Sequence, residues 1–132
     1  MEFIENQYST IETENSIEVK DLFDLVKNPD QIEWEAYSEG VSKHFLYEDE
    51  SGASAFLAKL EAGAQLPEHL HTGYEHMILL SGKTAKIWAA GNQVSIQNKG
   101  DMIIAKPGTR HSASVQEGGI ALLICQNKKI YD

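Results

Sequence analysis

The chain predicts an all-β fold, with antiparallel strands closed into a barrel or stacked as a sandwich. From Glu33 onward, short apolar runs recur about every 8–12 residues, each closed by a turn signal. No helical periodicity follows residue 30, which removes the doubly wound α/β folds. No apolar run approaches the ~18 residues of a membrane helix, and 132 residues are enough for one domain with its own core.

The expected organisation is an N-terminal extension over residues 1–32 and a β domain over residues 33–132. In the extension, Ile17, Leu22, Phe23, Leu25 and Val26 predict a short amphipathic helix ending at Asn28-Pro29, or else an extended arm packed on the domain or a partner subunit. The β-capable residues Phe3, Ile4, Tyr8 and Ile11 suit such an arm and would cover an exposed sheet edge in a homodimer. In the β domain the turns follow in order. They are Glu39-Gly40, Glu50-Ser51-Gly52, Ala62-Gly63, Ser81-Gly82, Gly91-Asn92, Lys99-Gly100-Asp101, Pro107-Gly108 and Glu117-Gly118-Gly119, so the strands read as a series of hairpins.

Composition narrows the function. Twenty acidic against 11 basic residues give a net charge of -9, which opposes binding to nucleic acid or an anionic membrane. The one cysteine, Cys125, lies in the apolar run IALLICQ and reads as a small core residue. The N-terminus is acidic and polar, unlike a signal peptide, so the expected location is the cytoplasm.

The chemistry concentrates in the run from Gly63 to Gly82. In an extended strand His69 and His71, at i and i+2, point to one face. A bend at Thr72-Gly73 returns Glu75 to that face, in phase with Met77 and Leu79, and turns His76 away. His111 follows the turn Lys106–Thr109 on another strand, and a curled sheet would set it opposite the first group. Three imidazoles and a carboxylate suit one divalent transition ion (Fe, Mn, Co, Ni, Cu or Zn), and the alternative is a hydrogen-bonded polar cluster without metal. Met77 and Leu79 would wall the site. Trp88 is a candidate to line a substrate pocket, as are Trp34, Tyr37 and Phe56, although aromatics in a small β domain are more often core. Tyr74, Arg110 and Ser112 should point outward and Lys106 should be solvated. The interior therefore reads as apolar, suited to a small apolar or chelating ligand.

Gly63, His69, His71, Glu75 and Gly82 reproduce the first motif of the cupins, G-x5-H-x-H-x3-E-x6-G. The spacing from Gly100 to His111 agrees with the second cupin motif, although Lys106 stands at its proline position and Val115 at its asparagine. Over residues 33–127 the chain resembles the cupin superfamily (RmlC-like jelly rolls), and within it the cupin domain of ChrR-type anti-sigma factors. The resemblance implies a jelly-roll-like antiparallel β-barrel, often dimeric, holding a metal on His69, His71, Glu75 and His111. Two functions follow from it. One is a metal-dependent dioxygenase of a small diketone, enol or similar chelating substrate. The other is a non-catalytic metal- or ligand-binding sensor or accessory module of the ChrR-like type. Residues 1–32 contain no Cys and no His, so they offer no zinc-binding helical domain of the anti-sigma kind.

Overall fold

The computed structural model of the chain describes residues 3–7 and 10–131; Tyr8 of the expected arm lies outside them. Three short strands come first: β1 (Phe3–Gln7), β2 (Thr10–Thr13) and β3 (Ile17–Val19). They pair antiparallel with one another and with no strand of the larger sheets. A single α-helix follows, α1 (Leu22–Lys27), capped by the Asp21 carboxylate, which accepts from Asp24 N at 3.0 Å. It stops at Asn28, where Pro29 opens one 3-10 turn (Pro29–Gln31).

The remaining strands are β4 (Glu35–Ser38), β5 (Val41–Glu48), β6 (Ser54–Leu60), β7 (Gln65–His71), β8 (Glu75–Leu79), β9 (Lys83–Trp88), β10 (Gln93–Asn98), β11 (Met102–Ala105), β12 (Arg110–Glu117), β13 (Gly119–Cys125) and β14 (Lys129–Ile130). They form two antiparallel sheets, β11-β8-β13-β6-β5-β4 and β10-β9-β12-β7-β14. The all-β prediction holds, but the barrel does not close. The edges of the two sheets are not bonded to each other, and the domain is a sandwich of jelly-roll type. The hairpin expectation holds only at Gly40, Gly52 and Gly91, where the flanking strands are neighbours in one sheet. At the turns near Gly63, Gly73, Gly82, Gly100, Gly108 and Gly118-Gly119 the chain instead crosses from one sheet to the other.

Two of these crossings interlock. Gly82 has φ +89°, and a Cβ there would lie 2.6 Å from Glu117 O, so a side chain is excluded on both conformational and steric grounds. A Cβ on Gly119 would meet Ser81 O at 2.0 Å, while Ile120 N donates to Ser81 Oγ at 2.9 Å and locks the two turns together.

Alternation along β6 builds two cores. Phe56, Ala58 and Leu60 face inward and join Val41, Met77, Leu79, Val115 and Ala121 between the sheets. Leu57 faces outward and meets Leu25 of α1, with Ile32 and Ile120, so the helix roofs the outer face of the six-stranded sheet. Trp34 packs in this outer layer, its Nε1 donating to Pro29 O at 2.8 Å, and so lines no interior pocket. No helix among the described residues is long and apolar enough to cross a membrane.

Candidate metal centre

His69 and His71 project inward from β7, as their i, i+2 spacing requires, and are 4% and 1% exposed. His111 is not across the sandwich from them. β12 lies directly beside β7, and its register places His111 next to His69, with Trp88 of β9 on the other side. One sheet thus supplies all three imidazoles. Their ring centroids are 4.6–4.7 Å apart, and a ligand nitrogen from each lies within 4.8 Å of the others.

The nitrogens are arranged to receive an ion. His69 Nδ1 lies 3.0 Å from Pro67 O, a contact that puts the proton on Nδ1 and leaves the Nε2 lone pair for a ligand. That Nε2 is buried and has no hydrogen-bond partner among the described residues. His71 Nε2 and His111 Nε2 face each other at 3.2 Å. Two ligand nitrogens ~2.0–2.1 Å from a tetrahedral zinc ion lie ~3.3 Å apart, so this spacing fits a shared metal.

Electrostatics favour neutral, ligating imidazoles. Burial holds His69 at about 4 and His111 at about 3, each against an ordinary 6.5, with the neighbouring cations and imidazoles adding to the depression. Burial lowers His71 in the same way. A consequence is expected for chelator-treated protein. The unfolded chain takes up protons as pH falls through 6.5 and the folded site does not, so stability is complete above that pH and declines toward pH 4. His69 and His111 each contribute on the order of 1.4 kcal/mol per pH unit over this window, and His71 acts in the same direction. Urea denaturation at pH 7, 5.5 and 4.5 should therefore show a steep loss, and an unchanged midpoint would contradict the buried neutral assignment.

Glu75 enters from the opposite sheet, on β8, and is also buried. Its carboxylate is turned to Lys129 of β14, with which it forms an ion pair, and accepts from Cys125 Sγ at 3.2 Å. Burial pushes the Glu75 carboxyl up, but the charge and hydrogen bond of Lys129, with His71 and the Cys125 thiol, together outweigh it and hold the group at about 2. Burial likewise works against the Lys129 ammonium, and Glu75, with Cys125 and Tyr37, together outweigh it, so that pKa is raised. Cys125, buried as expected of a core residue, has its thiol pushed up to about 12 by burial and by the Glu75 charge, and is unreactive as a thiolate.

Of the expected pocket residues, Met77 lines a small cavity of about 50 Å3 that reaches His69. Leu79 is fully buried in the core, and Trp88 lies edge-on to His111 at 4.6 Å, its Nε1 donating to Ser95 Oγ. His76 alternates to the other face of β8.

The interior is more polar than the sequence suggested. Lys86, in phase with Thr84 and Trp88 on β9, is 4% exposed and donates to Met77 Sδ at 3.4 Å. Burial lowers it to about 8, which leaves it mostly protonated at pH 7. Lys43 is also lowered to about 8 by burial and rests 3.5 Å from the Tyr37 ring centroid. Tyr131, which follows β14, sits 5.2 Å from the His69 ring and helps close the cavity.

Comparison with known proteins gives the family and the fold. A family model described as the ChrR cupin-like domain matches residues 23–129. No curated protein matches the chain in sequence. Among solved structures, KdgF from a Halomonas species superposes with a TM-score of 0.61 at 18% identity, over 75% of this chain and 92% of that one. An RmlC-like cupin from Shewanella frigidimarina gives 0.64 at 19%, over 75% and 86%. The anti-sigma factor ChrR of Rhodobacter sphaeroides, solved in complex with SigE, gives 0.64 at 23%, over 81% of this chain and 56% of that chain.

Proposed function

We propose that this chain, which belongs to the ChrR cupin-like domain family, is a binding module centred on one divalent transition metal held by His69, His71 and His111. The observation that carries the reading is the convergence of three buried imidazoles, one with its tautomer set by Pro67 O and its Nε2 left without a partner. Glu75 is the fourth ligand in this proposal, available once Lys129 yields the carboxylate. An ion held there would offer Lewis acidity at its open positions. The protein's own groups shape what reaches it. Trp88 and Tyr131 pack against the outer two rings, Met77 narrows the approach, and the cavity of about 50 Å3 admits little. Such confinement favours a sensor or accessory role, in which occupancy of the site is the output.

The second reading, a dioxygenase of a small chelating substrate, is supported by the open positions that three or four protein ligands leave on an octahedral ion. Dioxygen uptake by iron-loaded protein over a panel of small diketones and enols separates the two. Flat traces are expected for the binding module, and uptake that disappears in His69→Ala would establish the oxygenase.

A homodimer is part of the proposal. Met102, Ile104 and Ile124 are 57%, 44% and 38% exposed on the outer face formed by β11, β8 and β13, an apolar surface suited to a second copy. Light scattering should give twice the chain mass of 14.7 kDa, and a monomeric mass at micromolar concentration would count against it.

A further inference from the structure

The Glu75 carboxylate cannot serve both Lys129 and a metal ion from where it stands. Its Oε2 holds the Lys129 ammonium and the Cys125 thiol. The three imidazoles bring their ligand nitrogens within 4.8 Å of one another, and Glu75 is not part of that cluster. Its charge nevertheless acts on all three rings. To become a ligand, the carboxylate has to turn from Lys129 towards them.

Lys129 then has no second anion to fall back on. Glu75 is its one ion-pair partner among the described residues, and the ammonium's own charge already acts on His69 and His71. With an ion on the imidazoles, Lys129 would lose its counterion and face a divalent charge in the same dry interior. An uncompensated buried charge is costly, and sharing the carboxylate would still keep the ammonium beside the ion.

The strand that carries Lys129 is suited to leaving. β14 is two residues long and pairs with β7 alone at the sheet edge, and Ile130 and the following Tyr131 are each 45% exposed. Short edge elements with few buried contacts open first. The residues just before it are fixed: Gln126 N donates to Tyr74 O at 3.1 Å, and Thr72 Oγ1 donates to Lys128 O at 2.6 Å. A hinge therefore falls after Lys128. Beyond it, Lys129 pairs with His71 in the ladder, and Tyr131 lies 5.2 Å from the His69 ring.

We infer that residues 129–131 are a metal-operated latch, shut by the Lys129–Glu75 pair in the metal-free protein and released when Glu75 becomes a ligand. The inference rests on the metal-binding reading, with Glu75 as the fourth ligand, and gives the output of that site. Release uncovers the outer edge of β7 and takes Lys129 and Tyr131 out of the lining of the cavity that reaches His69. Occupancy inside the sandwich is thereby reported at its surface.

Hydrogen exchange, read by mass spectrometry on full-length protein at pH 7 with and without saturating Zn(II), tests the latch without any substitution. Amides of residues 129–131 should exchange about tenfold or more faster with zinc, as expected when a charge-assisted contact is broken, while those of β13 do not quicken. Co(II) titration adds a second readout. Lys129→Met should bind Co(II) about tenfold or more tightly than the wild type, because the competitor for the carboxylate is gone. That gain should disappear when Glu75→Gln is added, which separates lost competition from the mere loss of a positive charge. Zinc-loaded protein whose residues 129–131 stay as protected as before overturns the latch and leaves the metal reading standing. So does a Lys129→Met protein that binds Co(II) no tighter, or a gain that survives Glu75→Gln. Absence of any Zn(II) or Co(II) uptake overturns the metal reading itself, and the latch with it.

Discussion

Replacing Lys129 with methionine is expected to destabilise chelator-treated protein by roughly 3–5 kcal/mol, the usual cost of leaving one member of a buried pair uncompensated. The side chains of Lys129 and Glu75 are 16% and 5% exposed, so solvent screens the pair little. The substitution leaves a carboxylate buried against a thiol that ionises only near pH 12 and imidazoles that stay neutral at pH 7, with Lys86 and Lys43 as the remaining cations that feel its charge but make no ion pair with it. Adding Glu75→Gln to the same chain should restore most of the loss, since neither charge then remains. Zinc or cobalt should also restore it in the single variant if the freed carboxylate completes the metal site. Urea unfolding with and without metal measures all three. A Lys129→Met protein as stable as the wild type would mean that the ion pair does not hold the C-terminal strand in place.

The second large effect concerns His111→Ala. Saturating metal stabilises a protein that binds it only when folded, by about 2.7 kcal/mol at a hundred times the dissociation constant. In the wild type this gain should appear as a raised thermal midpoint. His111 sits in the ladder beside His69 and opposes His71 Nε2 with its own at 3.2 Å, so its removal takes away a contact to both partners. The metal-dependent rise should vanish in His111→Ala and persist in His76→Ala, whose imidazole is on the other face of β8. Equal rises in the two variants would place the ion elsewhere.

Much of this site was readable from residue order because strand alternation is local. It needs only the knowledge that the chain is extended, and it correctly turned His69 and His71 to one face and His76 to the other. Which strands become neighbours is decided by long-range pairing, which residue order does not carry. His111 was expected opposite the first pair, whereas β12 inserts between β9 and β7 and sets it alongside them. The glycine turns are legible in the sequence, but a turn signal does not state whether the chain returns along its own sheet or crosses to the other.

The missed residues have specific causes. Lys86 was accessible by alternation from Thr84 and Trp88, but a lysine inside a β domain violates the ordinary preference for exposure. Lys129 and Tyr131 belong to a tail whose strand is two residues long, too short for any periodicity, and only pairing of Lys129 with His71 brings them to the centre. Trp34 looked like an interior aromatic and instead packs with the helix outside. The outer core exists because α1 covers Leu57, a pairing that the sequence of β6 cannot indicate.

The proposed function stands on one metal ion held by the three imidazoles. Its most direct test is metal analysis of full-length protein equilibrated against Zn(II) or Co(II) and then dialysed, beside His69→Ala, His71→Ala and His111→Ala. One ion per chain is expected in the wild type, with substantial loss in each variant. Wild-type protein that retains no stoichiometric metal, or variants that retain as much as the wild type, would contradict it.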